Sequence, residues 1–250
     1  MRRSWLKDPP HRTASILTHV DWSLTDWIRN NSAPSMDGSG VYIGIVDTGV
    51  QPHPDLPPMD LFDVTGLGPE DENGHGTHVV GIMAGLDNGV GVIGAAPGAI
   101  YTSVRCLDSC GLGDDEDVAR AVDICVEEDC DIINMSLGMR GHSDVIESSV
   151  LTAISNGVII VAASGNDRIG RPTQFPACIP QVISVGSIGP RGPSSYTCEG
   201  DVMVPGEDIP STWLDGGYAV QSGTSQACPL ASALIAIRLQ AFRIVPLEVH

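Results

Sequence analysis

Positive charge is what this sequence has least of. There is a single lysine, Lys7, among 250 residues, and the 13 basic residues stand against 31 acidic ones, for a formal net charge of −18. Such a surface repels phosphate backbones and anionic lipid, so neither nucleic acid nor a membrane is a fitting partner. It favours cationic partners instead, basic peptides and divalent metal ions among them. No apolar run approaches the length of a transmembrane span. Aromatic residues make up only 4% of the chain, while glycine (29) and proline (18) are plentiful, a mix that suits an α/β protein with many tight turns better than a helical bundle. The seven cysteines are an odd number, against a fully paired secreted framework, and none stands in a Cys-x-x-Cys pair, against a structural zinc site. With 42% hydrophobic residues the chain can bury a substantial core without disulfides.

What is present is a regular alternation. Residues 1–40 are polar and irregular apart from a short helix expected around Trp22 to Asn30, and read as an N-terminal extension packing on the rest. From Val41 the pattern changes. Val41–Val46 is a short apolar, β-branched run of the kind buried on both faces of a parallel sheet. Similar runs recur at Ile100–Val104, Ile132–Met135, Val158–Ala162 and Val182–Val185, with helical stretches at His75–Ala84, Glu116–Glu128 and Ser143–Asn156. Strand and helix in alternation indicate βαβ units with right-handed crossovers. The fold class is therefore α/β, a doubly wound, mostly parallel sheet with helices on both faces, and residues 41–250 form one domain.

Three segments put a reactive side chain at a strand end or a helix start. Asp47 follows the first strand in Asp47-Thr48-Gly49. His75 stands in Asn73-Gly-His-Gly-Thr-His78, and Ser225 in Ser222-Gly-Thr-Ser-Gln-Ala-Cys-Pro229. In an open α/β sheet such ends converge on one crevice. Each motif alone has a bland explanation. Asp-Thr-Gly would have to occur twice to build an aspartic-protease site, His-x-x-His without a third ligand is weak metal binding, and Gly-Thr-Ser is a common helix start. Together, in the order Asp, His, Ser, they supply an alcohol nucleophile, an imidazole base and a carboxylate that fixes the base's tautomer.

With these residues in view, the stretch from about Val41 to Leu234 resembles the subtilases, the subtilisin-like serine peptidases of family S8. The resemblance implies a three-layer α/β sandwich and a serine endopeptidase with Asp47, His75 and Ser225 as its triad. It further implies an oxyanion hole of Asn166 supported by Thr224. Peptide or protein substrate would lie as an extended strand between Gly111-Leu112-Gly113 and Ser136-Leu137-Gly138. The pocket for the residue before the scissile bond would be lined by Ala163, Gly165 and residues 136–138, with Asp167 at its rim. Asp167 and the run Asp114–Asp117 raise a preference for basic substrates, although acidic residues also suit the solvated start of a helix. His78 would be a buried structural residue.

The same resemblance implies one structural Ca2+ and no organic cofactor. Its ligands would be Asp55, the Asn88 side chain and the carbonyls of Leu86, Val90 and Val92, oxygen donors of the kind a hard cation takes. Phe175-Pro176 matches a position where the family's peptide bond is cis. Gln226 stands where methionine is usual, and Cys228 at a small-residue position. Cys178 and Cys198 fall in segments expected to be neighbours, so a disulfide between them is allowed. The 106/110 and 125/130 pairs are too close along regular structure to bridge easily.

The family ordinarily continues past the nucleophile helix and often carries an inhibitory prodomain, so control by a prodomain or inhibitor in trans is expected. A catalytically idle subtilase fold serving as a binding or structural module is the competing expectation. The basic start Met1-Arg2-Arg3 lacks the apolar segment of a secretory leader, which implies a cytoplasmic protein if Met1 is native and a secreted catalytic fragment otherwise.

Overall fold

The computed structural model describes residues 36–244, together with the backbone of Arg3–Ser4 and Arg12–Thr13. The helix expected near residues 22–30 lies outside the described residues. In chain order the strands and helices are β1 (Arg3–Ser4), β2 (Arg12–Thr13), β3 (Tyr42–Asp47), β4 (Asp60–Asp63), α1 (His75–Ala84), β5 (Ile100–Arg105), β6 (Leu112–Gly113), α2 (Asp115–Glu127), β7 (Ile132–Met135), α3 (Asp144–Ser155), β8 (Ile159–Ala163), β9 (Ile183–Gly189), β10 (Gly192–Pro193), β11 (Val202–Pro205), β12 (Ile209–Thr212), β13 (Tyr218–Gln221) and α4 (Thr224–Ile244).

The main sheet runs β10-β9-β8-β7-β3-β5-β4, with β11 also paired to β9. Every pairing in it is parallel except the β9–β10 hairpin. Its centre is apolar on both faces because helices cover both. Ile43 and Ile45 of β3 pack with Val79, Ile82 and Met83 of α1 and Leu230 and Ala233 of α4. Val46 faces the other layer, with Val118 and Val122 of α2 and Ile146 and Val150 of α3. This is the three-layer arrangement expected from the strand–helix alternation.

Strand β3 matters most for function. It lies between β5 and β7, and the chain builds outward from it on both sides. That makes the carboxyl end of β3 a topological switch point, where adjacent crossovers leave on opposite faces and open a crevice. Asp47 is the last residue of that strand.

The acidic run stays with the fold. Asp115, Glu116 and Asp117 form the first turn of α2, where negative charge is favoured by the helix dipole. The Cys178–Cys198 bridge does not form, because all seven cysteines carry free thiols. Cys178 is exposed on the turn after the cis Phe175-Pro176 bond, whereas Cys198 is buried, its backbone N–H held by the Gly165 carbonyl. Cys125 and Cys130 do meet. The chain turns back after α2 so that Cys130 N–H reaches the Cys125 carbonyl and the two thiols hydrogen-bond beneath Gly44, unbridged.

Candidate active site

Asp47 and His75 meet as the motif order implied. Nδ1 of His75, the first residue of α1, is 2.7 Å from Asp47 Oδ1, and both side chains are almost wholly shielded from solvent. The Thr48 backbone N–H donates to the same oxygen at 2.7 Å.

The two loops that carry this pair are fastened by a residue that sequence reasoning passed over. Asp71, buried, accepts on Oδ1 from Thr48 Oγ1 and from the N–H groups of Asn73 and Gly74, and on Oδ2 from the N–H and Oγ1 of Thr77. One carboxylate thus links the segment after β3 to the first turn of α1. The only signal for it was an acid four residues before the histidine.

Ser225 lies on the first turn of α4 and is 6% exposed. Its carbonyl accepts from Ser136 Oγ at 3.0 Å, and Ser136 in turn accepts from Asn134 Nδ2. Ser232, two turns further along α4, donates to Asn134 Oδ1. These buried hydrogen bonds lock the start of α4 to the end of β7. On the other side, Thr224 donates from both its N–H and its Oγ1 to Asn166 Oδ1, at 3.0 and 3.1 Å, while its Oγ1 accepts from Gly165 N–H. With Oδ1 committed to Thr224, the donor end of the Asn166 amide is its Nδ2. The structure therefore joins Asn166, Thr224 and Gly165 in one cluster with the Ser225 turn.

Three features bear on the segments expected to hold substrate. Leu137 turns its side chain into the core with Met135 and Met139, so only its main chain is available to a peptide. The edge of Leu112–Gly113 carries a partner from the chain itself, since β1 pairs antiparallel with it, Arg3 opposite Gly113 and Ser4 opposite Leu112. Asp167 is not an open anionic contact, because Arg140 Nε and Gln174 Nε2 each donate to its Oδ2 at 2.7 Å.

Gln174 was missed altogether. It fills the space between Gly138 and Gly165, where a Cβ on either glycine would meet its side chain. Its place immediately before Phe175-Pro176 was the available hint. His78 is buried against Trp213 with Nε2 3.3 Å from the Ala219 carbonyl, a structural position.

The expected calcium residues also gather. The loop from Leu86 to Val92 closes on the fully buried Asp55 carboxylate. Asn88 Nδ2 donates to Oδ1, Val92 N–H and the Tyr218 hydroxyl donate to Oδ2, and Leu86 N–H binds the Asp55 carbonyl. A Cβ on Gly91 would lie 2.1 Å from Asp55 Oδ2, so the loop approaches as closely as glycine allows. Burial, then the charge and hydrogen bond of Asp55, raise the Tyr218 phenol above its ordinary value. A buried carboxylate, an amide and a carbonyl-rich loop are a donor set that fits a hard cation, although Asn88 here offers its N–H end to Asp55 while its Oδ1 accepts from Val90 N–H.

A buried Asp–His pair at the switch point of the sheet, with a serine at a helix start beside an anchored asparagine, is the residue set of the subtilisin class. The comparisons agree. The sequence profile of the subtilase family matches residues 38–249. The minor extracellular protease Epr of Bacillus subtilis (strain 168) is 37% identical over 211 residues, 82% of this chain and 33% of that protein. Subtilisin Savinase of Lederbergia lenta is 35% identical over 208 residues, 81% of this chain and 77% of that one. A crystal structure of a cold-adapted subtilisin-like serine proteinase superposes with a TM-score of 0.76 at 34% identity, covering 83% of this chain and 78% of that one. The chain belongs to the subtilase family. It spans one third of Epr and 56% of subtilisin NAT from Bacillus subtilis subsp. natto.

Proposed function

We propose that this chain is a serine endopeptidase that cleaves peptide bonds through an acyl-enzyme intermediate. The observation that carries the reading is the buried 2.7 Å contact between Asp47 and His75 at the switch point of the sheet. Asp47 on Nδ1 holds the imidazole in the tautomer whose Nε2 can accept a proton, and stabilises the imidazolium once it forms. Ser225 Oγ attacks the scissile carbonyl carbon and its proton passes to His75. The tetrahedral oxyanion is met by Asn166 Nδ2 and the Ser225 N–H. Collapse breaks the C–N bond as His75 returns the proton to the leaving amine. Water, deprotonated in its turn by His75, then hydrolyses the ester. Thr224 and Ser136 position the donors and the nucleophile's turn without touching the reacting atoms.

Substrate lies as an extended strand whose main chain pairs with Gly111–Gly113 and Ser136–Gly138. Small residues along both walls let the two backbones approach. Inhibition by a prodomain or inhibitor in trans would use the same walls. Calcium would be held by Asp55, Asn88 Oδ1 and the carbonyls of Leu86, Val90 and Val92, with the Asn88 amide turned over to present its oxygen. Its contribution is to tie the 86–92 loop to the body of the fold and not to the chemistry.

A fluorophosphonate probe tests the reading directly. Labelling and casein hydrolysis are both expected, and both are expected to vanish in Ser225→Ala. Asn166→Ala is expected to lower kcat by the roughly 10²–10³-fold known for such a donor in subtilisin itself. A folded wild-type protein that neither labels nor hydrolyses any peptide would overturn the proposal.

A further inference from the structure

When a scissile carbonyl sits between Asn166 Nδ2 and the Ser225 N–H, the side chain of the residue that owns it (P1) points into the gap beside the nucleophile. That gap lies between the segments following β7 and β8, two adjacent parallel strands. Gly138 and Gly165 stand on its two sides, and glycines there would ordinarily leave room for a side chain from the substrate. Here the room is taken. A Cβ on Gly138 would lie 3.0 Å from Gln174 Oε1, and one on Gly165 would lie 2.5 Å from Gln174 Cδ and 2.6 Å from its Cγ. Gln174 is only 8% exposed, so its side chain is packed in the gap and not draped over it.

The plug is held at both ends. Its backbone N–H donates to the Ser164 carbonyl at 2.9 Å, and its Nε2 donates to Asp167 Oδ2 at 2.7 Å. Arg140 Nε reaches that same carboxylate oxygen at 2.7 Å and supplies the counter-charge. Swinging Gln174 aside would strip a partner from Asp167 and leave a glutamine amide to be satisfied elsewhere. Gln174 also lines a recess of 410 Å³, with Met139, Arg140, Asp167, Phe175 and Cys178 among its other walls. Gln174 thus stands both against the two glycines of the gap and in the lining of that recess.

We propose that Gln174 sets the P1 specificity of this peptidase. It restricts cleavage to peptides with a small residue, glycine, alanine or serine, on the acyl side of the scissile bond. Because Arg140 already neutralises Asp167, a basic P1 residue gains no carboxylate partner to offset the missing space. The inference rests on the serine-peptidase reading above and adds the substrate class to it.

The test uses tetrapeptide p-nitroanilides of the form Ala-Ala-Pro-X, with X alanine, phenylalanine or arginine, on wild type, Gln174→Gly and Gln174→Ala. Wild type is expected to turn over X = Ala with kcat/KM at least about tenfold above X = Phe or Arg, the least discrimination expected of a gap closed to side chains. In both variants the Phe/Ala ratio is expected to rise at least about tenfold as the gap opens. Thermal melting and fluorophosphonate labelling establish that each protein is folded and has a competent nucleophile. A labelled wild type that prefers phenylalanine or arginine overturns the size restriction and leaves the peptidase reading intact. So does an unchanged Phe/Ala ratio in two folded, labelled variants. A folded wild type that neither labels nor hydrolyses any of the peptides overturns both.

Discussion

Asp71 touches no reacting atom, yet five donors from two loops end on its carboxylate. An amide in its place can accept at only one of its two ends, so Asp71→Asn is expected to leave buried donors facing an NH2 group. The expected loss is about 3 kcal/mol or more of stability, seen by calorimetry as a fall of roughly 6–12 °C in Tm. Because the same donors fix the spacing of Asp47 and His75, kcat is expected to fall well before KM changes. A variant with wild-type kcat would show that the loops hold their places without the clamp. At this scale the proposed triad was the legible part, since each member stands in a short glycine-flanked motif whose order carries meaning. Asp71 and Gln174 were not, because a lone acid in a polar loop and a glutamine before Phe-Pro have no pattern of their own. What they do depends on which backbones the fold brings beside them.

Among the elements, the apolar runs located β3, β5, β7, β8 and β9 to within a few residues, and the helical stretches between them located α1, α2 and α3. Strands β4, β12 and β13 escaped notice because Asp60–Asp63, Ile209–Thr212 and Tyr218–Gln221 mix polar and apolar residues, in β12 even where the polar ones are buried. The pairing of β1 with β6 was equally hidden, since two polar residues near the start of the chain carry no strand signal. It has a kinetic consequence. Arg3–Ser4 holds backbone positions on Leu112–Gly113 that the proposed substrate strand would use. Net backbone hydrogen bonds contribute about 1 kcal/mol each, so displacing even one raises KM by roughly fivefold. Deleting residues 1–8, which keeps the Arg12–Thr13 pairing to β13, is therefore expected to lower KM by about that factor with kcat little altered. Equal KM values for the two proteins, with matched melting curves, would show that substrate does not compete for that edge.

Over the whole molecule the dominant quantity is a net charge of −18, which repels itself and draws divalent cations. If Asp55 and its loop hold calcium, a cation at about one hundred times its Kd adds close to 2.7 kcal/mol to stability. The expected readout is a Tm about 5–10 °C higher in calcium than in chelator, with the difference abolished in Asp55→Asn. Identical melting curves in calcium and chelator would remove the site. The thiols lead somewhere else again. Five of the seven are enclosed, leaving Cys110 on the loop before β6 and Cys178 at the recess that Gln174 also lines as the exposed ones. A donor and an acceptor dye coupled through maleimides would therefore attach at these two places with no engineering. Energy transfer between them would then give a spectroscopic ruler for the separation of the β6 loop and the recess in solution.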